Sequence, residues 1–363
     1  MGKKGLKTKP IILREGKYDN KKLEMLKEKH DIWKKRDIYE SQLQEIFRIL
    51  NASLNSKSNI YKKKLSEFIN DRKKPSKKLK GNWVYFPWNG NLIHAVNEEE
   101  YFELRTNRNR NLITKSEQKT ISAYVVGIVG LSVGNNIATS LAFQGISNTI
   151  KLAEADTLET TNLNRMRARI DQIGISKLEL CMQQIFEINP YAKIIPFERI
   201  TEKNITKFIE SKPKLDVIFD EIDDFKMKVM IRVYAKKYQI PVLMMTNLGD
   251  RVMVDVERYD ENPDTLYFNS DNKKLQQEIL NKKEISKEDE KRYAINLVGI
   301  HNLPQRAIES VKEIGKTLVG RPQLSSTVTI SGGIASYLVR RIALKRNLKS
   351  GRHIFDLNNL FKD

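Results

Sequence analysis

The chain has 363 residues, with 65 Lys and Arg against 45 Asp and Glu for a formal net charge of +20, and is 40% hydrophobic. That length can bury one large core or two modest ones, and no apolar run approaches the ~20 residues a membrane-spanning helix needs, so no membrane partner is expected. The single cysteine, Cys181, excludes an internal disulfide and a tetrathiolate zinc site, and the opening Met-Gly-Lys-Lys-Gly-Leu lacks the apolar core of a secretory signal, so the expectation is a cytoplasmic protein without zinc.

Residues 1–80 hold 24 Lys and Arg against 10 Asp and Glu, so most of the positive surplus lies there. After a basic lead-in to about residue 17, Leu23, Leu26, Trp33, Ile38, Leu43 and Phe47 recur at helical spacing among charges. One long or two shorter amphipathic helices are expected over 19–51 and another over 60–71. Arg72-Lys-Lys-Pro75-Ser-Lys-Lys-Leu-Lys80 reads as a linker. The result is a basic helical extension that offers positive charge to a nucleic-acid partner, though with few aromatics for base stacking. Residues 81–120 form a lead-in segment. Within it, Asn89-Gly90 favours a type I′ hairpin turn over 83–94, and Pro87 points to an edge strand. A short helix over 98–104 then leads to Arg108 and Arg110.

From residue 121 to 363, strands and helices alternate. Tyr124-Val-Val-Gly-Ile-Val-Gly130 is a β-branched run, Leu131-Ser132-Val-Gly134 a glycine-bearing turn, and 137–145 an apolar pattern at helical spacing. Together they read as the strand, phosphate turn and helix of a nucleotide-binding βαβ unit. The next strand, 149–153, ends at Glu154 and Asp156. Ligands of open α/β sheets sit beyond the carboxyl ends of the strands, so this acidic pair is expected to face the same crevice as the glycine turn. Helices over 176–189, 201–211 and 226–238 alternate with strands over 193–197, 215–219 and 241–246. The fold expected is α/β, a Rossmann-like doubly wound, mostly parallel sheet with an added basic helical N-terminal extension. Residues 251–257 alternate like an antiparallel strand, 260–300 are polar without a regular pattern, and helices over 304–318 and 325–345 close the chain.

Several separate motifs then line up. Glu154-Ala-Asp156-Thr-Leu-Glu-Thr-Thr-Asn162-Leu-Asn-Arg165, followed by Gly174, Lys177, Asn189-Pro190 and Asp220-Glu-Ile-Asp223-Asp224, resembles the ThiF/MoeB/HesA superfamily of ubiquitin-activating-enzyme-like adenylyltransferases. The order and spacing of the motifs make the resemblance specific, and it runs from about residue 108 to the C-terminus.

The resemblance implies an ATP- and Mg²⁺-dependent homodimer that adenylylates a C-terminal carboxylate of a ubiquitin-like or sulfur-carrier protein or of a peptide. It implies backbone contacts to phosphate from Gly130, Ser132 and Gly134, and ribose contacts from Glu154 with Asp156 beside it. Asn162, Arg165 and Lys177 would bind phosphate oxygens, as would the partner subunit's Arg110, with Arg108 as its competitor. Asp223 would hold the metal, Asp220 being the alternative. Arg110, Arg165, Lys177 and Asp223 are thus the candidate catalytic residues.

The chain also departs from the family pattern. The glycine turn is one residue shorter than G-x-G-G-x-G, and Met166 replaces the glutamine after the arginine. No cysteine lies in the crossover region near 246–300, and Cys181 reads as a packing residue, so an acyl adenylate without an enzyme thioester is expected. His94 and His301 read as surface or core residues. The alternatives are an RNA-associated, tRNA-modifying member of the same superfamily, or a nucleotide-binding scaffold.

Overall fold

The computed structural model describes residues 8–74 and 79–361, so the start of the expected lead-in and residues 75–78 of the expected linker lie outside it. The chain divides into two compact units, residues 1–114 with 186–191, and residues 115–185 with 192–363. Among the described residues no helix is long and apolar enough to cross a membrane.

The first unit contains β1 (Ile11–Leu13), α1 (Asn20–Lys29), β2 (Lys34–Asp37), α2 (Tyr39–Leu50), α3 (Asn59–Arg72), β3 (Asn82–Phe86), β4 (Asn91–Ala95) and α4 (Glu98–Thr106). Side chains set the helix starts: Asp19, Ser58 and Asn97 each accept a backbone N–H of the first turn. The strands form a four-stranded sheet in the order β1-β3-β4-β2, with β2 parallel to β4 and the other pairs antiparallel. The wholly helical extension expected from the sequence is therefore corrected. β1 has only three residues, and β2 is Lys-Lys-Arg-Asp, exposed along its length. Backbone pairing rather than a buried face holds β2, so it leaves no alternating pattern to read. The hairpin is present, but residues 87–90 connect its strands and among them only Gly90 has positive φ (+64°), which excludes the two-residue type I′ turn. β3 lies between β1 and β4, so Pro87 marks the loop after an interior strand and not an edge. Trp83, Tyr85 and Leu92 pack with Tyr18, Leu23 and Leu26.

The remaining elements are α5 (Lys115–Ala123), β5 (Val125–Val129), α6 (Gly134–Gln144), β6 (Thr149–Ala153), α7 (Lys177–Ile188), β7 (Lys193–Phe197), α8 (Ile205–Glu210), β8 (Val217–Asp220), α9 (Phe225–Tyr238), β9 (Val242–Leu248), β10 (Arg251–Glu257), α10 (Lys273–Asn281), α11 (Lys287–Val298), α12 (Gln305–Glu313), α13 (Ser325–Ala343), β11 (Gly351–Asp356) and α14 (Leu357–Leu360). Their strands form one sheet in the order β11-β10-β9-β8-β5-β6-β7, parallel from β7 to β9 and antiparallel at β10 and β11. β5 and β8 are buried throughout, as central strands covered on both faces must be. From β5 the chain winds outward through β6 and β7, then returns to β8 on the other side, so the topological switch point falls between β5 and β8.

Residues 260–300, expected to be irregular, contain α10 and α11. Ile279, Tyr293 and Leu297 of these helices pack on Val229 and Met244. Their polar outer faces outnumber the few buried positions, which hides the periodicity. The edge strand β11 was also not anticipated, because its residues Arg352 to Phe355 keep substantial exposure.

Lys151 of β6 is wholly buried, and its Nζ donates to the carbonyls of Phe208 (2.7 Å), Ile209 (3.3 Å) and Ser211 (2.7 Å) at the end of α8. It thereby satisfies acceptors that a helix C-terminus leaves open. Lys151→Met is expected to lower stability by about 2–3 kcal/mol in urea unfolding, because the Phe208 and Ser211 carbonyls then lose this donor.

Candidate active site

Beyond the carboxyl ends of β5, β6 and β8 lies an open cleft. Its floor is the glycine turn. Gly130 has φ +90°, and a Cβ there would stand 2.5 Å from the Glu221 carbonyl oxygen, so the turn and the following loop approach more closely than any side chain permits. Leu131 and Ser132 complete this wall. Gly134, expected to approach phosphate, does not line the cleft. It opens α6 where a Cβ would meet Ile128 Cγ2 at 2.6 Å, so its small size serves the packing of α6 on β5.

Glu154 ties the turn to the end of β6. Its Oε2 accepts the Leu131 N–H at 2.8 Å, and Oε1 accepts those of Ala155 and Asp156 at 2.8 and 2.9 Å. A carboxylate has about four lone-pair sites, so acceptor capacity remains. Asp156 anchors Lys177, the first residue of α7. The Asp156 carbonyl accepts the Lys177 N–H at 2.9 Å, and its carboxylate lies 3.2 Å from Lys177 Nζ.

Arg165 lies over the turn. Its Nε donates to Ser132 Oγ at 3.2 Å and its Nη1 to the Thr161 carbonyl at 3.2 Å and Asn164 Oδ1 at 2.9 Å. Burial draws its pKa below the usual arginine range, against the pull of Asp223. Asn162, also expected at the phosphates, is buried away from the cleft wall. Its Oδ1 accepts the Glu159 N–H at 3.1 Å and closes the short turn Thr160–Asn162 that leads to Arg165.

The two aspartates after β8 differ sharply. Asp220 is wholly buried, with Lys228 at 3.1 Å and Arg232 taking its two oxygens. The Asp223 side chain is 97% exposed at the cleft, 3.8 Å from Arg321. Among the described residues no group of three or more His, Cys, Asp or Glu could hold a metal. Asp223, like Asp156 and Asp224, is an open carboxylate at the cleft, and such oxygens suit Mg²⁺, which keeps several waters and shares its ligands with phosphates.

Gly130, Ser132, Glu154, Asp156, Arg165, Lys177 and Asp223 thus line one cleft. Arg110 belongs to the first unit and pairs there with Glu103 at 3.3 Å. Sequence reasoning missed Arg199, Glu221 and Gln323, which also line the cleft. Arg199 lies two residues beyond β7, where the strand-end rule offered a signal. Burial pushes the Glu221 carboxyl well above its usual range, with Lys228 opposing, and its Oε1 accepts the Met245 N–H at 2.9 Å. Gln323 carries no local signal, since only chain folding brings it to the turn. Cys181 is fully buried in α7, and burial pushes its thiol up to about 12.

The arrangement places three cations, Arg165, Lys177 and Arg199, around a space that the carboxylates of Glu154, Asp156, Glu221, Asp223 and Asp224 also border. The cations can pair with phosphate oxygens, and the exposed carboxylates suit a metal ion bound to phosphate.

The ThiF family model matches residues 106–361. An uncharacterized protein of Mycobacterium tuberculosis, MT1398, is 33% identical over 277 residues, which is 76% of this chain and 38% of that protein. The tRNA threonylcarbamoyladenosine dehydratase of Bacillus subtilis is 28% identical over 155 residues, 42% of this chain and 59% of that one. Ubiquitin-like modifier-activating enzyme 5 of Culex quinquefasciatus is 28% identical over 157 residues, 40% of this chain and 39% of that one. The chain spans less than two thirds of the length of each of these relatives.

Proposed function

The chain belongs to the ThiF family of ATP-dependent adenylating enzymes, and on that premise we propose that it activates a C-terminal carboxylate as an acyl adenylate. The observation that carries this reading is the convergence of Arg165, Lys177 and Asp223 on one cleft at the sheet's switch point. Arg165 presents a forked donor and Lys177 a point charge to phosphate oxygens, while the turn Gly130–Ser132 borders the same space. Glu154 would accept the ribose hydroxyls. Asp223 would hold Mg²⁺, which supplies further neutralisation of phosphate charge when bound. Positioned charge of this kind lowers the barrier to adenylyl transfer without a covalent enzyme intermediate.

The acyl substrate in this reading is a ubiquitin-like or sulfur-carrier protein or a peptide. A homodimer in which the partner subunit's Arg110 completes the site belongs to the same proposal. The test is ATP–pyrophosphate exchange across candidate carboxylates. Exchange that Asp223→Ala abolishes supports the reading; silence with every candidate, indistinguishable from that variant, overturns it.

The buried, high-pKa thiol of Cys181 has no part in this scheme. Cys181→Ala is expected to form acyl adenylate within about twofold of the parent, since a buried neutral thiol is not a nucleophile. A thiol-labile protein adduct lost in that variant would reverse this conclusion.

A second reading, association with RNA, draws on the cations concentrated before residue 80 and exposed along β2. Its mark would be RNA binding that weakens steeply with salt and falls when Lys34, Lys35 and Arg36 are replaced by alanine.

A further inference from the structure

A second, smaller cavity adjoins the nucleotide cleft and shares Ser132, Glu221, Ile222, Asp223 and Gln323 with it. Phe225, Met244, Met245, Ala294 and Leu297 give it apolar walls, two of them from α11. Two polar atoms in this lining are buried with no hydrogen-bond partner among the described residues. They are Nδ2 of Asn247, a residue 2% exposed, and Oε1 of Gln323. The other end of the Asn247 amide meets the Ser331 hydroxyl at 3.0 Å, so one end alone is left over. A buried donor and a buried acceptor without partners are costly unless a ligand supplies the complement. A peptide group does so with its C=O and N–H. Arg321 lines the same cavity and stands 3.8 Å from Asp223, which puts a cation where a carboxylate would enter the nucleotide cleft.

We infer that this cavity holds the last residues of the acyl substrate, and that the substrate is a peptide chain whose C-terminal residue has an apolar side chain. The inference rests on the adenylylation reading for its direction, since the carboxylate must reach the nucleotide from this side. A Gly-Gly terminus would leave the walls formed by Phe225, Met244 and Leu297 without contacts, whereas a Leu, Met or Phe side chain covers them. Asn247 and Gln323 are then specificity residues that bind the last peptide group.

The experiment measures binding of fluorescent hexapeptides that differ only in their last residue to the full chain with Mg²⁺ and a non-hydrolysable ATP analogue. Pyrophosphate exchange is followed in parallel with ATP. Peptides ending in Leu, Met or Phe are expected to bind at least about tenfold more tightly than those ending in Gly, Lys or Asp. Ala294→Trp, which fills the cavity from α11, is expected to erase that preference while affinity for the analogue is kept. Equal or better binding of Gly-ended peptides, or no peptide binding at all, overturns the inference whatever the variant does. Apolar-ended peptides that bind without supporting exchange would remove the adenylylation reading and leave the cavity as a site for an apolar-ended peptide that is not an acyl substrate. Exchange confined to Gly-ended substrates would do the reverse.

Discussion

Replacing Arg165 with alanine is expected to lower kcat/KM for pyrophosphate exchange by roughly 10²- to 10³-fold, the usual loss when one preorganised donor to developing charge is removed. The Arg165 guanidinium donates to the Ser132 hydroxyl, the Thr161 carbonyl and Asn164 Oδ1. Thr161 and Asn164 are exposed, so water replaces the guanidinium there, and the cost to stability should stay under about 1 kcal/mol. The variant therefore separates chemistry from folding, with exchange kinetics read beside a thermal melt. Arg165→Lys is expected to recover little, because an ammonium cannot reach Ser132 and a phosphate oxygen with one planar fork. An alanine variant within threefold of the parent would take Arg165 out of the chemistry and, with it, the convergence on which the functional reading stands.

Arg232→Met should destabilise the second unit by about 3–5 kcal/mol, the range for breaking a buried ion pair and stranding its partners. Arg232 is wholly buried on α9 between Asp220 of β8 and Glu257 of β10, with Nη2 3.0 Å from Glu257 Oε2. Its guanidinium also stacks 3.8 Å from the centre of the Phe268 ring. The Tyr259 hydroxyl donates to Glu257 at 2.9 Å, so one network spans β8, α9, β10 and the segment after β10. Removing the cation leaves Glu257 without a countercharge and Asp220 with Lys228 alone. Adding Glu257→Gln to Arg232→Met should recover part of the loss, because the orphaned charge then goes too. Urea unfolding of the three proteins measures both effects. A single-variant loss below 1 kcal/mol would show that water or rearrangement already compensates these charges. Because Asp220 ends the strand from which Glu221 and Asp223 follow, this network also holds the cleft's acidic loop in place.

The order of strands and helices from β5 to β9 could be read directly from the chain, because continuous apolar runs and 3.6-residue periodicity are local records of burial on both faces or on one. The spacing of Glu154, Arg165, Lys177 and Asp223 likewise carried the family, since motif distances along a chain survive without knowledge of packing. Tertiary structure alone decided which of those residues meet. Gly134 and Asn162 sit inside the motifs yet outside the cleft lining, Gly134 packed against Ile128 and the Asn162 side-chain oxygen accepting the Glu159 N–H. It also brought Arg199, Arg321 and Gln323 to the two cavities from distant loops. Neither β2 nor the helices within 260–300 could be foreseen, as backbone pairing holds the first and a few buried positions among many charges anchor the others. Local sequence records how one element is solvated, whereas a binding site depends on which separate elements the fold packs together, and no single stretch of chain encodes that.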